Sequence, residues 1–275
     1  MAIETLANMY APVTVFHEEE KFYPSSIEFF LDAVDVVDEN LFTIEPNPTP
    51  ENLPGGIETD GYYMLTDQPL RKAFQIGRRP KCPTCTDVDI FSGQDVLNDI
   101  IPTYVLYRPY NGTPFIDIQY HLFYPYNRGK DICIGIPDGD DCIGFFESFG
   151  NHVGDWEHLT IRFRDEEPEQ LYISCHSFGA YYNYNAAENV FEFDRGDVKA
   201  QWEVKDFTKQ DSLDPEFSPF VFMDGTHPIV FSANGSHGLW GEAGTHVYMS
   251  FPITLSDVTG NGLQHVSEGS LHLIE

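Results

Sequence analysis

Between Gly150 and His158 the chain reads Gly-Asn-His-Val-Gly-Asp-Trp-Glu-His. Two carboxylates, Asp155 and Glu157, and two imidazoles, His152 and His158, fall within this stretch. Such groups at that density can ligate a divalent cation or work as general acid and base. The next residues, Leu159-Thr-Ile-Arg-Phe163, alternate apolar and polar as a β-strand does. Residues two apart share a strand face, so Asp155 and Glu157 extend the row of Leu159, Ile161 and Phe163. Trp156, His158, Thr160 and Arg162 take the other face. An acid on an inward row is costly unless it meets a cation, a donor or a water-filled cleft. That conflict makes the segment the candidate site.

Three chemistries suit it. Asp, Glu and an Asn carbonyl, with waters, would hold a hard cation, Mg²⁺, Ca²⁺ or Mn²⁺. Two histidines, one carboxylate and an open position would suit Zn²⁺ or Fe²⁺. Without metal, a carboxylate beside a histidine can move protons if a dry pocket raises its pKa. The bland reading is a network in which both acids accept hydrogen bonds from loop amides and histidines. No Gly-x-Ser-x-Gly elbow supports a serine nucleophile, and no Gly-x-x-x-x-Gly-Lys-Ser/Thr loop supports phosphate binding.

The elements that must position these residues are short strands. Ala11–Phe16, Thr103–Arg108, Phe115–Tyr124, Glu157–Phe163 and Gln170–His176 read as strands, as do His227–Ala233 and His246–Phe251. Two more fall within residues 181–204. An Asn111-Gly112 pair turns the chain between the second and third. Pro24–Leu31 reads as a short helix with Ser25 or Ser26 as its cap. Residues 45–61, rich in Pro, Gly, Asn and Glu, and the Gly/Asp-rich residues 127–150 read as loops, and Glu18–Glu20 as a solvated charge run. The expected architecture is mainly β, an antiparallel β-sandwich with a few short flanking helices, forming a single domain over residues 1–275.

Composition narrows the partners. The formal charge is −29, from 44 acids against 15 bases, which argues against nucleic acid and against an anionic membrane. It leaves neutral or glycosylated lipids open. With 22 Phe, 15 Tyr and 3 Trp the chain suits sheet cores. No apolar run approaches the roughly 20 residues of a membrane span. The first residues show neither the basic nor the apolar region of a signal peptide, so the expected location is cytoplasmic, or secreted with a signal removed. Of five cysteines, Cys133 and Cys142 can close a loop by a disulfide, and Cys82-Pro-Thr-Cys85 is half a zinc site without a second pair.

Three segments resemble the vacuolar protein sorting-associated protein 62 family. They are Ala11-Pro-Val-Thr-Val-Phe-His-Glu-Glu-Glu-Lys-Phe-Tyr-Pro-Ser-Ser26, Gly154-Asp-Trp-Glu-His158 and Pro228-Ile-Val-Phe-Ser-Ala-Asn-Gly-Ser-His237. A more distant resemblance is to necrosis- and ethylene-inducing-like proteins, secreted β-sandwich cytolysins whose Gly-His-Arg-His-Asp-Trp-Glu signature helps hold a divalent cation. His152, Asp155, Trp156 and Glu157 fall on that signature, with Val153 and Gly154 in place of its Arg and second His. His121-Leu-Phe-Tyr-Pro-Tyr-Asn127 is similar to their aromatic strand, with Asn127 in place of a metal-binding Asp. Ser174-Cys-His-Ser-Phe-Gly179 is similar to their His-Gly segment, and Ser236-His237 to their final Ser-His.

The resemblance implies one cleft lined by Asn127, His152, Asp155, Glu157, His176 and His237. A divalent cation, Mg²⁺ or Ca²⁺ first and Mn²⁺ or Zn²⁺ next, would be held by Asn127, His152, Asp155, Glu157 and His237. The function it implies is cation-dependent recognition of a lipid or glycan head group. The alternative is a metal-dependent or acid–base enzyme acting on a small hydrophobic substrate, with His152, Asp155, Glu157 and His176 as its catalytic set.

Overall fold

The alternation after His152 becomes a strand of 13 residues, His152–Arg164. In it Glu157, Leu159, Ile161 and Phe163 are buried while Trp156, His158, Thr160 and Arg162 are not, as the period of two requires. The computed structural model describes residues 1–54, 61–67, 90–138, 141–198, 213–250 and 254–274. Cys82 and Cys85 lie outside the described residues. The chain divides into two compact units: Met1–Glu20, Pro102–Leu122 and Trp156–Glu275 form the first, Lys21–Ile101 and Phe123–Asp155 the second.

The molecule is mainly β, as expected. Its largest sheet runs, edge to edge, through Gln264–Val266, Val13–Val15, His227–Ser232, Phe220–Asp224, Val190–Val198, Phe178–Asn185, Glu167–Cys175, His152–Arg164, Phe115–Asn127, Thr103–Pro109 and Leu271–Leu273. Most neighbours are antiparallel. Val13–Val15 on His227–Ser232, and Leu271–Leu273 on Thr103–Pro109, are parallel.

In the first unit the sheet curls over its own core, sandwich-like. Val105, Ile118, Leu159, Ile161, Leu171 and Ile173 pack in one cluster with Phe191, Val221 and Val230. A short helix, Ile3–Met9, adds Leu6 and Ala7, and Tyr120 Oη donates to the Ala7 carbonyl at 2.8 Å. Burying each such side chain stabilises by about 1.5–3 kcal/mol. Glu20 departs from the solvated run expected of Glu18–Glu20: it is buried and accepts the Gly235 amide at 2.7 Å. A carboxylate tolerates burial there because it meets a donor.

In the second unit, Thr43–Pro46, Val34–Val37 and Tyr63–Thr66 make a three-stranded sheet. The expected helix forms at Ile27–Leu31, with Ser26 Oγ accepting from the Phe29 amide at 3.1 Å. Phe22 and Phe91 pack against Tyr126 at 5.3 and 5.6 Å between ring centroids.

Much of the expected loop at residues 127–150 is instead a hairpin, Lys130–Asp138 with Asp141–Phe149. The physical reason lies in two glycines that resemble loop punctuation. Gly135 faces Gly144 in the register, and a Cβ on either would meet a carbonyl oxygen at 2.2 Å. Only glycine lets the strands approach that closely. Cys133 and Cys142 form the disulfide that the sequence allows, with Cα atoms 5.5 Å apart. Their register partners are Phe146 and Pro137, so the two cysteines are not opposite each other. The hairpin must therefore bend back on itself, and the facing glycines are where it can.

Candidate functional site

Of the residues singled out in the sequence, Asn127, His152 and Asp155 belong to the second unit and Glu157, His176 and His237 to the first. In the second unit, Asp155, with its side chain 11% exposed, accepts from Asn127 Nδ2 at 3.1 Å and lies 3.8 Å from His152 Nε2. Asn127 Oδ1 in turn accepts the Gly129 amide at 2.7 Å. A backbone N–H can only donate, so that contact fixes the amide's orientation. Asn127 thus offers Asp155 a proton, and its oxygen is engaged by Gly129. His152 Nδ1 lies 2.8 Å from the Gly154 carbonyl. Gly154 has φ +73°, a left-handed step inside the strand that an L side chain rarely takes.

In the first unit, buried Glu157 lies 3.2 Å from Ser174 Oγ, which is also 2.8 Å from the His158 carbonyl. His237 is fully buried, and its backbone amide donates to Ala233 at 2.9 Å. His176 Nε2 lies 3.0 Å from Asp257 Oδ2. Asp257 was missed in the sequence. Its burial is complete, and it collects donors from four side chains: Ser236 on Oδ1 at 2.8 Å, and Trp240, His176 and Cys175 on Oδ2 at 2.9, 3.0 and 3.4 Å. The sequence signal was weak, an Asp in the alternation Leu255-Ser-Asp-Val-Thr259 that sits on the buried side.

For a hard cation, six or more oxygen donors are typical. The second-unit group shows one carboxylate, one imidazole and an Asn whose oxygen is engaged. Among the described residues, the grouping that brings three ligand-type side chains together is Cys175, His176 and Asp257, with ligand atoms within 4.8 Å of one another.

The outward face of the first unit's sheet carries a second arrangement. Thr160, Tyr172, Tyr181 and Arg195 are successive cross-strand partners, forming one line across four strands. Arg162, Gln170, Asn183 and Glu192 form the next line, two residues along on three strands and three on the last, where the register shifts. Rings continue the first line. Tyr172 and Tyr181 are 4.8 Å apart, His158 lies 5.9 Å from Tyr172, and His121 stacks on His158 at 5.0 Å. Arg195 lies over the Tyr181 ring at 4.0 Å, within cation–π range.

Arg162 is held by Asp117 through two bonds of 2.8 Å, one from Nε and one from Nη2, and Tyr110 Oη donates to the same carboxylate at 2.7 Å. Burial raises the Asp117 pKa, but bonds from Arg162 and Tyr110 outweigh it and hold the carboxyl below its usual range. Burial, with the charge of His158, pushes His121 down to about 4, so His121 is neutral near pH 7. Between these lines lies an open groove of ≈ 330 Å³ whose lining includes Asp117, Gln119, Thr160, Arg162, Tyr172 and Tyr181.

The family model described as Vacuolar protein sorting-associated protein 62 matches residues 1–202. The chain belongs to that family. Two Saccharomyces cerevisiae relatives are each 27% identical over 92% of this chain. "Putative vacuolar protein sorting-associated protein TDA6" is covered over 50% of its length, and "Vacuolar protein sorting-associated protein 62" over 49%. The chain thus spans about half the length of these curated relatives. Among solved structures, "NLPPya in complex with glucosamine" aligns with a TM-score of 0.33 and "NLPPya in complex with mannosamine" with 0.34. Both are 13% identical and cover 99% of this chain and 73% of theirs. At those scores the likeness carries no argument about what this chain binds. No described helix is long and apolar enough to cross a membrane.

Proposed function

We infer that the protein recognises a glycan head group, free or carried on a lipid, without chemically changing it. The carrying observation is the groove on the outward sheet face. Sugars present hydroxyl groups around a ring that also has apolar C–H faces. A matching site needs planar polar side chains beside aromatic rings that solvent reaches at least in part, fixed before the ligand arrives. The groove supplies both. Asp117, Gln119, Gln170 and Arg162 offer acceptors and donors, while Tyr172 and Tyr181 offer ring surface. The two bonds from Arg162 to Asp117 hold that pair in place on strands rather than loops.

The divalent cation expected from the sequence enters this proposal as a separate requirement. Asp155 and His152 would hold it, with Asn127 fixing the Asp155 carboxylate, and it would supply a positive charge for ligand oxygens within the second unit. The second unit's hairpin carries apolar side chains of the kind that suit contact with a lipid surface. Ile136, Ile143, Phe145 and Phe149 are 66%, 63%, 58% and 48% exposed on it.

A glycan array followed by calorimetric titration of any hit tests the proposal. Wild type should bind a defined subset. Tyr181→Ala and Arg162→Lys should each lose about tenfold or more, roughly 1.4 kcal/mol. Binding that survives both changes would place the ligand elsewhere, and no hit on a broad array would reject glycan recognition. Chelator treatment of the wild type then separates cation dependence from glycan binding itself.

A further inference from the structure

We propose that Cys175, His176 and Asp257 form a zinc-binding site, independent of the glycan groove. The chain geometry brings them together against the usual alternation of a strand. Cys175 ends the strand Glu167–Cys175, and the next residue of a strand would point to the opposite face. His176 instead takes φ +51°, a left-handed conformation uncommon outside glycine. That step turns two consecutive side chains toward one carboxylate oxygen. Asp257 comes from a different hairpin, on the strand Leu255–Thr259 paired with Gly244–Met249.

The distances suit a tetrahedral ion. Zinc bonds of about 2.3 Å to sulfur and 2.0–2.1 Å to nitrogen or oxygen place neighbouring ligand atoms roughly 3.3–3.6 Å apart. Cys175 Sγ and His176 Nε2 lie 3.4 and 3.0 Å from Asp257 Oδ2. Those two pairs are close to that spacing, and Cys175 Sγ and His176 Nε2 lie within 4.8 Å of each other, so a swing of the partly exposed His176 side chain toward the thiol completes three corners. The fourth corner would belong to water or a ligand, on the side where the His176 side chain is 26% exposed. Trp240 Nε1 and Ser236 Oγ already donate to the Asp257 carboxylate, as outer partners of a metal-bound carboxylate do.

The donor types choose the metal. Thiolate plus imidazole favours zinc over Mg²⁺ or Ca²⁺, which take oxygen donors. They also decide against a cysteine nucleophile. A thiolate beside an ionised carboxylate is disfavoured by like charge, and Cys175 is fully buried. A divalent ion between them turns that repulsion into attraction. Binding forms the sulfur–zinc bond as the thiol proton leaves to solvent.

Cobalt(II) tests this directly, because it takes zinc's place and is coloured. The full chain, treated with chelator and then titrated with Co²⁺, should bind about one ion at this site. It should show a thiolate-to-cobalt charge-transfer band and the intense visible bands of a tetrahedral ion, and Zn²⁺ should bleach both. Cys175→Ser, close in shape to the native residue, should keep the circular dichroism of the wild type and lose the charge-transfer band. His176→Ala should lose the tetrahedral bands. With Cys82 and Cys85 replaced by serine throughout, absence of a charge-transfer band when Cys175 is present, or a band that persists in Cys175→Ser, would overturn the site.

Discussion

Asp155 and Asp257 are both carboxylates beside a histidine, and they differ in how the chain builds them. Asp155 sits with a near neighbour in sequence, His152, at 3.8 Å, and with one amide from Asn127. Asp257 collects Cys175, His176, Ser236 and Trp240, the first of which is 82 residues away. The local cluster announces itself as a motif. The distant one gathers four side-chain donors on a carboxylate that solvent does not reach. Density of chemistry along a sequence is thus a poor measure of density in space.

The sharpest way to break that contrast is Asp257→Ala. It removes the shared acceptor of several buried donors, and leaving such groups unsatisfied costs about 1–3 kcal/mol each. We expect roughly 3–5 kcal/mol of lost stability, read from the urea midpoint. A loss below 1 kcal/mol would mean that the donors find other partners and that Asp257 organises little.

A smaller effect comes from buried imidazole. His265 is buried, with Thr103 Oγ1 at 3.0 Å from its Nε2, and burial pushes its pKa down to about 4. Unfolded histidine takes its proton below about 6.5 while folded His265 stays neutral until about 4, so folding stability falls with pH across that window. The slope is about 1.4 kcal/mol per pH unit for this group, and His265→Asn should flatten it in unfolding titrations between pH 7 and 5.

Reducing the Cys133–Cys142 bridge should cost the second unit about 2–3 kcal/mol by releasing a short closed loop. Protease nicking of the hairpin after mild reduction would report it. Asp155→Asn sits at the small end, below about 1 kcal/mol, because His152 is exposed and an asparagine oxygen can still accept from Asn127. If it instead approaches the Asp257→Ala effect, the two carboxylates are equivalent and the contrast fails.

How much was legible follows the same division. Alternation revealed the strands that bear the groove, including the burial of Glu157 with Leu159, Ile161 and Phe163, because a period of two needs only local information. It also placed His158, Thr160 and Arg162 on the opposite face. What it could not supply was registry. That Tyr172 meets Tyr181, and Tyr181 meets Arg195, depends on hairpin turns and a register shift at Tyr181/Tyr182. The hairpin at 130–149 stayed hidden because its glycines imitate a loop while serving a close strand contact. The family resemblance reached the right family. Within the second unit Asn127 and His152 meet Asp155, and within the first His176 meets Asp257, a partner no motif announced.

Glycan recognition by the outward groove is the central claim, and one titration tests it most directly. The best array ligand is titrated calorimetrically into wild type and into Tyr181→Ala, with matching circular dichroism as the control for folding. The account predicts saturable binding by wild type and a loss of about tenfold or more in the variant. Equal affinity in the two proteins would contradict it.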